Sequence, residues 1–356
     1  MRQKSFLIFT GVLVMIFLLG IHHHAQSQTP ATKKVITWTF ASSSGAGANI
    51  WGFSPYPRFQ EMVAKATDGR LKLEVKVDLF PPTEALNGVI GGRADICFQR
   101  IPFVSGTFPL WDFASLPFFF DNVYEYEKAI SDPRMIKIME KTYGDVGLVK
   151  LFEAQSTSID VIFSNKMVKT IDDFKGLKIR TAGLLPTYTL KLLGASPLTM
   201  PVLEISEALQ RGTVDAVLAG PGFGLGLGMA DVTKFANYWA IQSAFGGTVA
   251  VNAKSWNGLP ADLQKILRGL AKEMQAQITF GSDVEYKVGI KGIEVAKLKV
   301  VVPEKAQIDK AREIGRPAID EWLKVAGPYG PEVLAIASEY AGGAKIMVPK
   351  LPGKGK

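Results

Sequence analysis

The chain has 356 residues, is 47% hydrophobic and carries a formal net charge of +8. This length favours two lobes, each with a core of its own. Apart from the lysine-rich last residues, no dense cluster of Lys and Arg occurs, which argues against nucleic-acid binding. All three histidines lie at positions 22–24. The rest of the chain therefore offers neither a His-ligated zinc site nor a Ser-His-Asp or Cys-His nucleophile. The single cysteine, Cys97, excludes an intrachain disulfide, and its apolar neighbours predict a buried side chain.

The first 27 residues have the pattern of a secretory signal peptide. Arg2 and Lys4 form a positive start, Phe6 to Gly20 is apolar, and Ala25-Gln26-Ser27 offers a small-x-small cleavage site. The apolar run is shorter than the about 20 residues of a typical membrane-spanning helix. We therefore expect cleavage near Ser27, a periplasmic location and no direct membrane insertion of the mature chain. A retained N-terminal anchor helix is the alternative.

Strand and helix patterns alternate after the leader. Strands are predicted at Val35 to Ala41, Leu71 to Val77 and Ala94 to Phe98, with helices at Pro57 to Thr67 and from Thr83 onward. This order predicts a parallel sheet with flanking helices. The fold class is therefore α/β.

Several side chains near the ends of these strands are candidate ligand contacts. Arg100 directly follows the third strand, where its guanidinium could bind an acid or pair with a neighbouring carboxylate. Trp51 and Phe53, on the loop after the first strand, are candidate cleft-lining rings or structural residues. Gln155, where the chain is expected to cross to a second lobe, could donate a hydrogen bond to a ligand.

From Pro260 the spacing of apolar residues stays helical over about 35 residues, which predicts one long helix that spans both lobes. The expected organisation is a signal peptide at 1–27, a first lobe at 28–155 completed by about 248–300, a second lobe at 156–247, the long helix at 260–297, C-terminal helices at 303–345 and a flexible tail at 346–356.

Arg180 closes a short predicted strand ahead of a glycine-bearing turn and a helix. Open α/β sheets bind ligands at the carboxyl ends of their strands, and the rigid fork of an Arg meets a carboxylate with two hydrogen bonds. The position of Arg180 in the sequence is also compatible with an exposed residue that forms a salt bridge and binds no ligand.

Three consecutive motifs surround Arg180: DDFKGLKIR, LGASPLTMP and E-x-x-E-A-L-Q-R-G-T-V-D-A. Together they resemble the periplasmic solute-binding subunits of TRAP transporters (the DctP-type family), which capture organic acids. The resemblance implies a two-lobed periplasmic binding protein fold, each lobe a mainly parallel sheet flanked by helices. It also implies that Arg180 binds the ligand's carboxylate, that the partners are the small and large TRAP membrane subunits, and that the protein is not an enzyme.

The chain departs from the family's better-known ligand pockets at several positions. Arg100 stands where the sialic-acid branch has a carboxylate, and Asp160 lies near the place of a second Arg. Val202 replaces an aromatic residue and Ala219 replaces an Asn. Residues 217–219 lack the Glu-Trp pair of the metal-binding branch, so neither a metal nor another cofactor is expected. These differences predict a less polar pocket and an apolar or aromatic monocarboxylate.

Two other functions stay open from the residues alone. A carboxylate-dependent periplasmic enzyme would need two acids in the cleft, with Asp160, Glu204 and Glu207 as candidates. A ligand sensor on the same fold would need no transport partner.

Overall fold

The computed structural model describes residues 34–42, 55–77, 79–155, 159–200, 202–242 and 246–341. From Ile36 onward, the described residues belong to one compact unit. The expected signal peptide and tail, and the candidate rings Trp51 and Phe53, lie outside the described residues. So does the side chain of Gln155.

The described residues form eleven strands in two sheets. The strands are β1 Ile36–Ser42, β2 Leu71–Val77, β3 Ile96–Arg100, β4 Leu148–Gln155, β5 Val161–Ser164, β6 Lys178–Arg180, β7 Ser196–Leu198, β8 Ala216–Ala219, β9 Phe235–Asn237, β10 Gly246–Asn252 and β11 Lys299–Val301.

Thirteen α-helices lie in the same described ranges. They are α1 Pro55–Ala66, α2 Ala85–Ile90, α3 Val123–Ser131, α4 Pro133–Asp145, α5 Leu184–Leu192, α6 Ile205–Gln210, α7 Pro221–Gly226, α8 Met229–Val232, α9 Ala253–Asn257, α10 Ala261–Val295, α11 Lys305–Gly315, α12 Pro317–Val325 and α13 Gly330–Tyr340.

The first sheet has five strands in the order β2–β1–β3–β10–β4. Strand β1 pairs in parallel with both β2 and β3, as the alternating strand and helix patterns predict. The sheet buries Trp38 and Phe40 of β1 together with Leu71 and Leu73 of β2. Strand β10 lies antiparallel between β3 and β4, so the chain returns to this sheet late in the sequence.

The second sheet has six strands in the order β11–β9–β5–β8–β6–β7. Strand β6, which ends at Arg180, pairs in parallel with β7 and β8. Strand β11 pairs with β9, so the chain is back in the second sheet at Lys299. The sequence predicts residues of the first lobe up to about position 300, so Lys299 lies at the end of that range. The lobe boundaries stay predictions.

The long helix α10 contacts both halves of the molecule. Its first part buries Leu263, Leu267 and Met274 in the core that also contains Trp38 of the first sheet. Its last part contributes Ile290 to a core of the second sheet. A helix that spans both lobes is thus confirmed. Among the described helices, α10 included, none is long and apolar enough to cross a membrane.

The aromatic stretch from Phe103 to Phe120 is largely core. Trp111, Phe113 and Phe120 are buried, and Trp111 stacks on Tyr143 with 3.8 Å between ring centroids. Cys97 is buried in the same core, where burial raises the pKa of its thiol. It therefore acts as a small apolar residue.

Candidate ligand-binding site

A cavity lies between the two sheets, at the ends of β3 and β6. Its empty space is about 420 Å³ when its opening to solvent is counted. The described residues that line it are Arg100, Phe103, Asp160, Arg180, Ala182, Val202, Leu218, Ala219, Gly220, Phe223 and Gln242.

Arg180 is the most deeply placed cation of this cavity. Only 5% of its surface is exposed, and its Nη2 donates a long hydrogen bond of 3.5 Å to the Met200 carbonyl. Its Nε is buried and has no hydrogen-bond partner among the described residues. A buried guanidinium donor without an acceptor is unusual, because leaving such a group unpaired costs free energy. The site thus presents a donor to whatever enters the cavity.

The turn after Arg180 holds the two sheets close together at the site. Gly183 has a φ of +89°, and a Cβ there would lie 2.9 Å from the Cβ of Pro102. Pro102 belongs to the 3₁₀ turn that follows Arg100 at the end of β3. A side chain at position 183 would push these segments apart, so glycine allows the Arg100 and Arg180 strand ends to approach.

Arg100 is the second guanidinium of the cavity. It lies 5.9 Å from the centroid of the Phe223 ring, in a cation–π arrangement. The pKa of Arg180 falls to about 10, mainly because of burial; Asp160 opposes this shift, and the charge of Arg100 adds to it. Arg180 therefore stays protonated at neutral pH, and the charge of Arg100 repels it, which favours an anion between the two guanidiniums. That either Arg binds a ligand stays a prediction.

Asp160 brings an acid into the same cavity. It is 4% exposed and directly precedes β5, where its backbone N–H donates to the Gln242 carbonyl at 3.0 Å. Burial raises the pKa of its carboxyl well above the usual value, the charge of Glu285 adds to this shift, and Arg180 opposes it. The sequence places Asp160 near the position of the family's second Arg and offers it as a candidate catalytic acid, but it does not predict Asp160 as a ligand contact.

Glu285 of α10 fixes one wall of the cavity from behind. Its carboxylate accepts hydrogen bonds from the backbone N–H of Phe223, at 2.7 Å, and of Gly222, at the start of α7. Burial raises the pKa of Glu285 to about 7. Since Phe223 lines the cavity and lies over Arg100, Glu285 positions a side chain of the site without lining it.

Gln242 is a polar lining residue that the sequence reasoning missed. Its amide donates to Ser115 Oγ at 3.3 Å, and Ser115 donates to Asp112 at 2.6 Å. Both partners come from the buried aromatic stretch, more than 120 residues away in the chain. No local pattern around Gln242 signals this contact.

The rest of the lining is apolar. Val202 and Ala219, both predicted ligand contacts, lie in it, together with Leu218, Ala182 and the rings of Phe103 and Phe223. The sequence reasoning did not select the last four as ligand contacts, although Leu218 precedes Ala219 at the end of β8. Trp51, Phe53 and the Gln155 side chain cannot be placed, because they lie outside the described residues.

Neither of the two glutamates considered as a catalytic partner of Asp160 lines the cavity with it. Glu204 and Glu207 are exposed, and Glu207 pairs with Arg211 at 2.5 Å. Within the described ranges no group of three His, Cys, Asp or Glu side chains could hold a metal ion.

The sequence matches the family "Bacterial extracellular solute-binding protein, family 7" (DctP) over residues 51–325. The chain belongs to this family. The protein is therefore a TRAP-type solute-binding receptor and not an enzyme, and the resemblance carried by the motifs around Arg180 is confirmed.

Named relatives of this family 7 receptor are periplasmic. It is 26% identical to the 2,3-diketo-L-gulonate-binding periplasmic protein YiaO of Escherichia coli K12, over 79% of this chain and 86% of that protein. It is 29% identical to a monocarboxylate 2-oxoacid-binding periplasmic protein of Nostoc sp. PCC 7120, over 58% of this chain and 57% of that protein.

A solved structure confirms the two-lobed fold of the family 7 receptor. The Bordetella pertussis extracytoplasmic solute receptor DctP7, which binds pyroglutamic acid, superposes with a TM-score of 0.77. The match covers 85% of this chain and 99% of that protein at 21% sequence identity.

Proposed function

We propose that this receptor captures a small organic monocarboxylate in the periplasm and delivers it to the small and large membrane subunits of a TRAP transporter. The observation that carries the proposal is the buried Nε of Arg180, which has no acceptor among the described residues and lines a cavity shared with Arg100. A ligand carboxylate would supply that acceptor and would separate two guanidiniums that otherwise repel each other. The names of the two relatives, both binders of organic acids, support the same class of ligand.

The apolar lining suggests what the rest of the ligand is like. Phe103, Val202, Leu218 and Phe223 surround the two guanidiniums, and such walls favour a hydrocarbon or ring body over a polyhydroxylated one. Asp160, in turn, offers no positive charge to a second carboxylate of a dicarboxylic acid. An apolar or aromatic body is therefore part of the proposal.

The test is a thermal-shift screen of the mature protein against aliphatic and aromatic organic acids, followed by titration of the hits. A ligand at 100 times its dissociation constant should stabilise the protein by about 2.7 kcal/mol. Arg180→Ala should weaken binding by roughly 2–5 kcal/mol, because the ligand's carboxylate would lose its buried partner.

Arg211→Ala is the matched control, since Arg211 is a 73% exposed side chain of the same half of the molecule. It should leave affinity unchanged. Equal affinity of the Arg180→Ala and wild-type proteins for the hit acid would rule out Arg180 as the carboxylate-binding residue.

Delivery to membrane subunits needs a separate test. We expect genes for one small and one large membrane protein beside the gene for this receptor. Uptake of the identified acid by cells that carry all three genes should be lost when the receptor gene alone is deleted. Unchanged uptake would argue for a sensor without a transport role.

A further inference from the structure

Asp160 is a buried acid that the carboxylate-binding role of the cavity does not use. It lines the cavity with 4% of its surface exposed. No described residue donates a hydrogen bond to its carboxyl or forms an ion pair with it within 4.0 Å, although the Arg180 guanidinium is close enough to lower the pKa of Asp160. The carboxyl therefore faces the cavity without a partner from the described part of the chain.

Such an arrangement is costly in the empty protein. A buried carboxyl without a hydrogen bond loses its hydration, and the attraction of Arg180 does not make up for this loss, because the pKa of Asp160 stays raised. The oxygens of Asp160 accept hydrogen bonds in either protonation state. A ligand group with an O–H or N–H would therefore satisfy Asp160, whereas a ligand with only C–H groups at that place would leave it unpaired.

The charged groups of the cavity would contact two different parts of the ligand, its carboxylate and its hydrogen-bond donor. Arg180 and Arg100 attract the carboxylate, and Asp160 lines the same cavity as these two residues. The group that meets Asp160 must thus lie near the carboxylate in a small ligand, on a neighbouring carbon or ring atom.

We propose that Asp160 determines the specificity of the cavity by accepting a hydrogen bond from a hydroxyl or N–H group next to the carboxylate of the ligand. This inference rests on the proposed binding of a monocarboxylate by Arg180. The substrate class is then a small 2-hydroxy acid or a cyclic acid with a ring N–H, whose remaining atoms are apolar enough for the Phe103 and Phe223 walls.

A purely structural role for Asp160 makes a different prediction. If Asp160 only offset the charge of Arg180, its removal would change the affinity for all monocarboxylates by the same factor. If Asp160 instead accepts a hydrogen bond from a donor group of the ligand, its removal changes the ratio of the affinities for two ligands that differ in that group alone.

The experiment measures this ratio by calorimetric titration with two matched pairs. Pyroglutamate is compared with 3-oxocyclopentanecarboxylate, in which a CH₂ group replaces the ring N–H, and lactate is compared with propionate. In the wild-type protein the donor-bearing member of a pair should bind at least about 30-fold tighter, because its analogue leaves a buried polar group unpaired.

In Asp160→Ala the preference for the donor-bearing acid should fall to within about threefold, since the carboxyl that accepts from the donor group is gone. Asp160→Asn should keep part of this preference, because its amide oxygen can still accept a hydrogen bond from the ligand. Both variants should fold, as each removes a buried, unpaired carboxyl, and their melting temperatures check this.

Equal affinities within both pairs in the wild type, with all binding lost in Arg180→Ala, would overturn the role of Asp160 and leave the proposed function intact. A preference that survives in Asp160→Ala would also overturn it. If none of the four acids binds to the wild type, this substrate class is wrong, and the wider acid screen decides the proposed function separately.

Discussion

Arg180 and Asp160 experience the same burial with opposite consequences. Burial disfavours the charged form of each group, so it lowers the pKa of Arg180 to about 10 and raises the pKa of Asp160. Arg180 remains protonated at neutral pH, because the ordinary pKa of an arginine is so high that even the lowered value stays well above 7. The cavity thus keeps its positive charge while offering an acid that a ligand donor can stabilise.

Glu285 should make the stability of the protein depend on pH. Its pKa rises from 4.5 to about 7 on folding, so between these values the folded protein binds more protons than the unfolded chain. Its contribution to stability is therefore present at low pH and is lost as the pH rises through 7. Glu285→Gln removes this dependence and keeps a carbonyl oxygen that accepts from Phe223.

The melting temperatures of Glu285→Gln and the wild type, measured from pH 5 to pH 8, test this prediction. The advantage of the variant should grow up to about pH 7 and then level off. Asp160 shifts stability with the same sign, and because the charge of Glu285 adds to the pKa shift of Asp160, the variant also reduces that shift, which increases the difference in the same direction. A difference that stays constant, or that grows toward low pH, would contradict the assignment.

At the scale of elements, the packing of α7 on α10 explains Gly222, one of the alternating glycines after β8. A Cβ on Gly289 of α10 would lie 2.2 Å from the Gly222 nitrogen, and a Cβ on Gly222 would lie 2.4 Å from Glu285 Oε1. Only glycines allow this approach, which brings the Glu285 carboxylate to the start of α7. The contact in turn places Phe223 at the cavity.

Gly289→Ala should therefore destabilise the protein and weaken acid binding. The added methyl group meets backbone and forces α7 and α10 apart, which costs roughly 1–3 kcal/mol, and the displaced α7 carries Phe223 away from Arg100. Urea unfolding and titration with the acid found by the screen measure both effects.

Gly269→Ala on the same helix is the matched control. A Cβ at position 269 has nothing within 4 Å, so alanine should stabilise the helix by about 0.5–1 kcal/mol and leave affinity unchanged. If both substitutions behave alike, close packing of α7 on α10 does not support the site.

At the scale of the whole molecule, the chain passes between the sheets more than once. It leaves the first sheet after β4, returns to it at β10, and reaches the second sheet again at β11. Arg100 and Arg180 come from different sheets, so a carboxylate bound by both would hold the two halves together.

Ligand binding should thus close the molecule about these connections. We expect the radius of gyration from small-angle X-ray scattering to decrease when the identified acid is added to the wild type. Arg180→Ala at the same acid concentration should show no change. An unchanged radius in the saturated wild type would mean that the cavity binds its ligand without lobe closure.

Local patterns were sufficient for most elements of the fold. The alternation from Leu71 to Val77 predicts β2 with the bounds it has, and Asp132-Pro133 separates α3 from α4 because Asp132 caps the second helix through its side chain. Strand β7 was not predicted, because three residues are too few for a periodic signal. The glycines of α7 gave no helical signal either, since that helix depends on α10.

The sequence by itself determined the family and the two-lobed fold, and it predicted the role of Arg180, because these depend on motifs and on periodicity along the chain. Only the tertiary structure decided which distant groups meet Arg180: Arg100, Asp160 and Gln242 from different segments, and Phe223 held by Glu285. It also decided how strongly each of these groups is buried. Burial shifts the pKa values and leaves donors and acceptors unpaired, and it arises from contacts between segments that no local pattern encodes.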